Sequence, residues 1–291
     1  MGCEIMAQAL KFRNNLDRPN LLYKYKSISS IDDLLRLYDT LKNCRIYLPV
    51  YDQLNDPLEG SALGHVLNEE HFPHSNPETD DFEVEDEVVF EAHVNDLLTD
   101  QEDSYIRERK KHYRILSLSS EPRSHQLWAH YAENHKGICL CFKTSNSLSS
   151  ACELKYIPVK ENLEVFDEII TNTKESVELD VIRNWLYKQE GWAYEKEWRM
   201  IFYSEPEEKA YLNFSPDELV AVILGEKVSK DLEDIIRSWI PENTKLLRTI
   251  VGQRSHRIYI TSAEFKREDA LKERTIPDLN LEKLLAEHVT V

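Results

Sequence analysis

Glycine is scarce in this chain, with only 7 in 291 residues. A loop that cradles phosphate groups with backbone N–H needs glycine where the chain meets the ligand closely or turns to positive φ. No Gly-rich phosphate loop, nucleophile elbow, HExxH or kinase signature occurs. Cysteine is also sparse. Cys3, Cys44, Cys139, Cys141 and Cys152 make an odd set with no C-x-x-C. Cys139 and Cys141 stand at strand spacing and share a face, which fits neither a zinc knuckle nor a disulfide framework. Reduced, buried thiols in a cytoplasmic protein are the expectation.

Long apolar runs are missing too. No stretch reaches the roughly 18 apolar residues of a membrane span. The N-terminal MGCEIMAQALKF has an early acidic residue and no apolar run, so it does not read as a secretory signal. Met6 stands where the myristoylation pattern wants Ser or Thr. The expectation is a cytosolic N-terminus and no membrane partner. Positive charge is in deficit: 36 Lys and Arg face 53 Asp and Glu, a net charge of −17. That argues against a broad nucleic-acid surface, which needs phosphate-neutralising cations, and leaves room for a small basic pocket. From Glu69 to Asp103 there is no Lys or Arg at all, so residues 68–104 read as an exposed acidic insertion.

The chain is organised around Trp192–Tyr203, WAYEKEWRMIFY. Taken as a strand from Glu195 on, it alternates. Trp198, Met200 and Phe202 form an apolar row, while Glu195, Glu197 and Arg199 share the other face. Two carboxylates on one face repel, and Arg199 is the nearest compensating cation. Taken alone, E-x-E-x-R is equally an exposed strand face with one local ion pair.

Residues 1–20 read as a flexible segment. LLYKYKSI at 21–28 reads as a strand with Tyr23 and Tyr25 alternating with Lys24 and Lys26. Ser29 or Ser30 caps a helix over 31–41. Further strands are expected at 45–50, 114–120, 138–142, 154–159, 219–224, 245–251 and 257–261. Helices are expected over 126–134, 163–189, 230–240 and 279–287, with His135-Lys136-Gly137 closing the first of these. The sum is a single α+β domain over 21–262 with a mixed or largely antiparallel sheet and peripheral helices, followed by a charged helical tail at 263–291.

Several polar residues could carry chemistry. Asn55-Asp56-Pro57 is a strong turn, presenting Asn55, Asp56 and then Glu59 to a ligand or forming an ordinary Asx turn. Ser117 and Ser119 share one strand face. His130 and His135 are five apart, which does not suit two metal ligands on one helix face; His130 is a catalytic or orienting imidazole or a satisfied half-buried one. No metal is expected on that count. Asp56, Glu59, Glu195 and Glu197 nevertheless offer enough carboxylates for a Mg²⁺-dependent hydrolase or nuclease. Another alternative is a non-catalytic ligand-sensing or protein-interaction domain, with Trp128, Tyr131 and Trp192 as core aromatics and Asp56, Glu195, Glu197 and Arg199 as a buried polar network.

The order LYKY, NDPLEG, SLS, WAHYAENHKGICLCF, WAYEKEWR and VAVILG resembles the prokaryotic family called domain of unknown function 2971. The resemblance runs from about Leu21 to Gly225, and the Trp-x-His-Tyr and E-x-E-W-R segments are its specific parts. Leu54, Leu116 and Ser117 depart from the family's usual residues. The resemblance implies a fold group and a defence or stress context. More distantly, a basic residue on a first strand, S-x-S on a middle strand and E-x-E before a strand look like the mono-ADP-ribosyltransferase layout. That likeness implies NAD as substrate, bound without a glycine loop in a cleft of a split antiparallel sheet, and a protein acceptor. It implies that Glu197 holds the ribose and steadies oxocarbenium character, and that Glu195 orients the acceptor. Ser117 and Ser119 brace the nicotinamide pocket, and Lys24, or Tyr23 or Tyr25 by stacking, meets the ligand. Asn55, Asp56, His130, Tyr131, Glu195, Glu197 and Arg199, the polar members of these motifs, are expected to converge on one pocket.

Overall fold

A computed structural model describes residues 18–50, 53–55, 111–157, 185–205, 209–265, 267–269 and 275–288. The acidic stretch 68–104, Asp56, Glu59 and most of 163–189 lie outside the described residues.

The chain begins with β1 (Leu21–Lys26), α1 (Ile31–Lys42) and β2 (Arg45–Leu48). Ser30 caps α1 through a full capping box with Asp33, which satisfies two of the first-turn N–H groups. β3 (Tyr113–Ser119), α2 (His125–His130) and β4 (Ile138–Lys143) follow. Short β5 (Cys152–Glu153), β6 (Lys155–Ile157) and β7 (Tyr187–Gln189) lead into a 3-10 helix over Glu190–Glu195 and then β8 (Glu197–Tyr203). The rest is β9 (Ala210–Asn213), β10 (Leu219–Leu224), α3 (Lys230–Trp239), β11 (Lys245–Val251), β12 (Ile258–Ser262) and α4 (Leu281–His288).

Eight strands form one sheet in the order β12-β11-β10-β4-β1-β3-β8-β5. Its pairs are antiparallel except β10 with β11, which run parallel across the α3 crossover. The sheet is thus mixed and largely antiparallel, and the α+β expectation is met. LVAVIL of β10 is buried at every position, as a strand covered on both faces must be. One apolar layer joins Leu22, Leu118, Leu140, Met200 and Val222 to α1 and α3 through Leu37, Leu41 and Ile236. The layer on the opposite side joins Tyr23, Tyr25, Cys139, Cys141, Ala221 and Ile223 to Leu127 and Trp128 of α2 and Leu281 of α4.

Four expectations need correction. The helix expected through Gln189 does not reach it, because 187–189 pair with β6 as a strand. Glu195 is not the start of a strand. It ends the 3-10 helix, and Lys196 takes a left-handed conformation (φ 44°) before β8 begins at Glu197. The helix expected to Asn134 stops at His130. Glu133, Asn134 and His135 are then all left-handed, and the N–H groups of Asn134 and His135 return to the carbonyls of Ala129 and Trp128. β9 was not expected; it pairs with β2 instead of joining the large sheet.

That turn is locked against Gly225. The Gly225 N–H donates to the Gly137 carbonyl, and a Cβ at Gly225 would stand 2.2 Å from the His135 carbonyl oxygen. Gly225→Ala should therefore cost about 2 kcal/mol or more in urea unfolding. Gly191→Ala, where an added Cβ meets nothing within 4 Å, should change stability little. Equal costs at the two positions would refute this packing account.

Candidate functional site: a cavity at the split between two strands

β1 is paired with β4 at all six of its positions. With β3 on its other side it shares a single register position, Tyr23↔Ser119. Beyond that point the two strands part. Diverging strands leave backbone groups without ladder partners, and such groups need another source of hydrogen bonds. Here the Ser117 carbonyl accepts from Lys24 Nζ at 2.8 Å, and the Glu121 carbonyl accepts from Tyr25 OH at 2.7 Å. By strand parity Lys24 belongs with Leu22, opposite Tyr23 and Tyr25. The opening lets its side chain line a cavity of about 180 Å³ together with both tyrosines.

Across the opening, Ser117 of β3 pairs with Arg199 of β8, and Ser119 pairs with Glu197. All four line the cavity, with Glu195, Tyr131, Asn55 and Gln53. Glu195 arrives by a different route from the one its spacing suggested. Its backbone carbonyl accepts from Ser119 Oγ at 2.6 Å, which ties the 3-10 turn to β3. Its carboxylate accepts from Tyr131 OH and, at 2.8 Å, from Lys188 Nζ. Lys188 also reaches Glu197 at 3.2 Å and lies 4.7 Å from the centre of the Trp192 ring. Arg199 grips Glu197 through two nitrogens, at 2.7 and 3.0 Å, and donates a third bond to the Trp185 carbonyl. The Glu197 N–H donates to Tyr156 OH at 2.8 Å.

These contacts set the ionisation of the pair. Burial opposes charge on Glu197, but Arg199 and Lys188 outweigh it and bring its carboxyl down to about 2. Burial pushes Glu195 up; Lys188 offsets part of that and the charge on Glu197 adds to it. The two carboxylates thus differ in role, one fixed as an anion and one the readier to hold a proton. Burial brings the Lys24 amine down to about 8, although Glu197 pulls the other way. Burial and the bond to Glu195 hold the Tyr131 phenol protonated.

Tyr23, Lys24, Tyr25, Asn55, Ser117, Ser119, Tyr131, Glu195, Glu197 and Arg199 therefore line one cavity. His130 and Trp128 do not. His130 is exposed at the end of α2 beside Tyr194, with ring centres 6.2 Å apart. Trp128 is fully buried, its indole N–H bonded to the Pro122 carbonyl and its ring stacked on His135. Asp56 lies outside the described residues. Lys188, which lines the cavity and pairs with both carboxylates, was missed in the sequence because it lay inside an expected helix. The signal was there: two buried carboxylates call for more than one cation, and Arg199 alone is one.

Among the described residues, no three of His, Cys, Asp and Glu gather closely enough to hold a metal ion. The carboxylates Asp56 and Glu59, on which a Mg²⁺ reading draws, are not among them. No helix among the described residues is long and apolar enough to cross a membrane.

Comparison with known proteins gives one match. Residues 127–200 match the family model described as Protein of unknown function (DUF2971). No curated protein and no solved structure matches the chain. The matched segment carries Leu127, Tyr131, Lys188, Glu195, Glu197 and Arg199, six of the sixteen described residues that line the cavity, both carboxylates among them. Over these residues the chain resembles the DUF2971 family, as the motifs WAHYAENHKGICLCF and WAYEKEWR led one to expect.

Proposed function

We propose that this cavity is the substrate site of an NAD-consuming enzyme of the ADP-ribosyltransferase kind. The observation that carries the reading is the opening between β1 and β3. It sets Tyr23, Lys24 and Tyr25 on one side of a cavity and Ser117, Ser119 and Glu197 on the other. In this reading the nicotinamide ring lies against the tyrosines. The glycosidic bond breaks, and its electron pair goes to the pyridinium nitrogen. Glu197, already an anion, faces the positive sugar carbon that develops, and a fixed charge of this kind needs no reorganisation during the reaction. The acceptor's nucleophile forms the new bond to that carbon. Its proton goes to Glu195, whose raised affinity for protons suits a general base. A protein acceptor and a defence or stress role belong to the same proposal.

One observation favours a second reading, a ligand-sensing domain without turnover. Lys188 and Arg199 already neutralise both carboxylates, and the Glu197 side chain is only 5% exposed. Release of nicotinamide from NAD, measured with candidate protein acceptors, separates the two. Wild type is expected to release it. Glu197→Asp keeps the charge but withdraws it by one methylene, and should lose about a hundredfold in rate. NAD binding without release would support the sensing domain, and neither binding nor release would remove both readings.

A further inference from the structure

We propose that Lys24 is a nucleophilic amine, placed to condense with the carbonyl carbon of a small aldehyde and form an imine in the cavity. The inference does not rest on glycosyl transfer and stands on the surroundings of this one side chain. Lys24 lines the cavity, and its hydrogen bond goes to the uncharged carbonyl of Ser117 at 2.8 Å. Among the described residues no carboxylate lies within salt-bridge distance of it; Glu195 and Glu197 are taken up by Lys188 and Arg199. The groups facing Lys24 are Glu195, Glu197, Arg199, Lys188 and Tyr131 across the cavity, with Tyr23, Tyr25 and Lys26 on its own strand.

A lysine becomes nucleophilic when it is desolvated or set beside another cation. The first condition holds here. Burial is the largest cause and brings the amine down to about 8, with Glu197 and Glu195 opposing it and Arg199 adding to it. One N–H bonded to Ser117 fixes the amine's direction and leaves its lone pair unused. In the reaction the lone pair forms the C–N bond and the C=O electron pair moves to oxygen, which takes a proton. The resulting carbinolamine expels water and leaves a protonated imine. Glu195, in the same cavity and the readier of the two carboxyls to hold a proton, is placed to supply and recover it.

The test uses the full wild-type chain and a limiting amount of pyridoxal at pH 7.5. Borohydride then delivers hydride to the imine carbon and fixes the label, which is located by peptide mass spectrometry. Lys24 should be labelled on the order of tenfold faster than exposed Lys136 and Lys245. The gain in free amine from a pKa near 8 against the ordinary value of about 10.4 exceeds the loss in intrinsic nucleophilicity. The rate at Lys24 should rise with pH to a plateau above about 8. Lys24→Arg should lose the fast label and leave the slow ones unchanged. Labelling of Lys24 no faster than of the exposed lysines, or only after denaturation, would overturn the proposal. That outcome would leave the NAD reading to its own assay.

Discussion

Glu197→Gln should destabilise the fold by about 3–5 kcal/mol, seen as a large drop in melting temperature. The carboxylate accepts both arms of the Arg199 guanidinium and the Lys188 ammonium, and the Arg199 and Lys188 side chains are 1% and 5% exposed. Glutamine keeps the volume and one acceptor oxygen but removes the charge. Arg199 and Lys188 would then lose the carboxylate that they share. The effect has a pH signature. The folded-state carboxyl titrates near 2, below its unfolded value of about 4.3. The stability it confers is therefore complete above about 4.3 and is lost as pH falls through 2. The gap between wild type and Glu197→Gln should stay constant from pH 8 to 5 and narrow below 4. A melting temperature unchanged by Glu197→Gln at pH 7 would mean that the ion-pair network carries no weight.

Lys188→Met should have the second largest effect, with a deficit that already narrows at a higher pH. Removing this ammonium leaves Glu195 and Glu197 facing each other with Arg199 bound to only one of them. The expected cost is about 3 kcal/mol at pH 8. Glu195 already holds its proton more tightly than an ordinary carboxyl, and loss of Lys188 removes an interaction that opposes this. In the variant the folded state should bind a proton that the unfolded chain does not, so its stability rises as pH falls toward 5. Lys188→Arg restores the charge and should recover most of the loss. Melts of the three proteins at pH 8 and pH 5 decide the matter, and a deficit in Lys188→Met that grows toward pH 5 would contradict this role.

How far the sequence shows these features depends on the range of the interaction. The apolar row Trp198, Met200 and Phe202 and the face shared by Ser117 and Ser119 follow from period-two alternation, and both appear in β8 and β3. LVAVIL reads directly as a strand covered on both faces. The common orientation of Glu195 and Glu197 was reached from a local conformation that does not exist. The two side chains meet because Lys196 turns left-handed and Ser119 holds the Glu195 carbonyl, and neither fact has a signature in E-K-E. Lys188 was hidden for a similar reason. Its place is set by the three-residue pairing of β6 with β7, too short to alternate visibly. The opening between β1 and β3 is the least legible feature, since it is a pairing that fails to continue, and alternation in LLYKYK is the same whether one neighbour is bonded or two.

The proposed site would take its ligand where β1 and β3 part. Amide hydrogen exchange of the full chain with and without NAD tests it most directly. Slowed exchange should centre on 21–26, 117–121 and 194–199, the segments that wall the cavity. No protection at those segments with saturating NAD, or protection confined to another cavity, walled by α3 and β11 around Glu233 and Arg248, would contradict it.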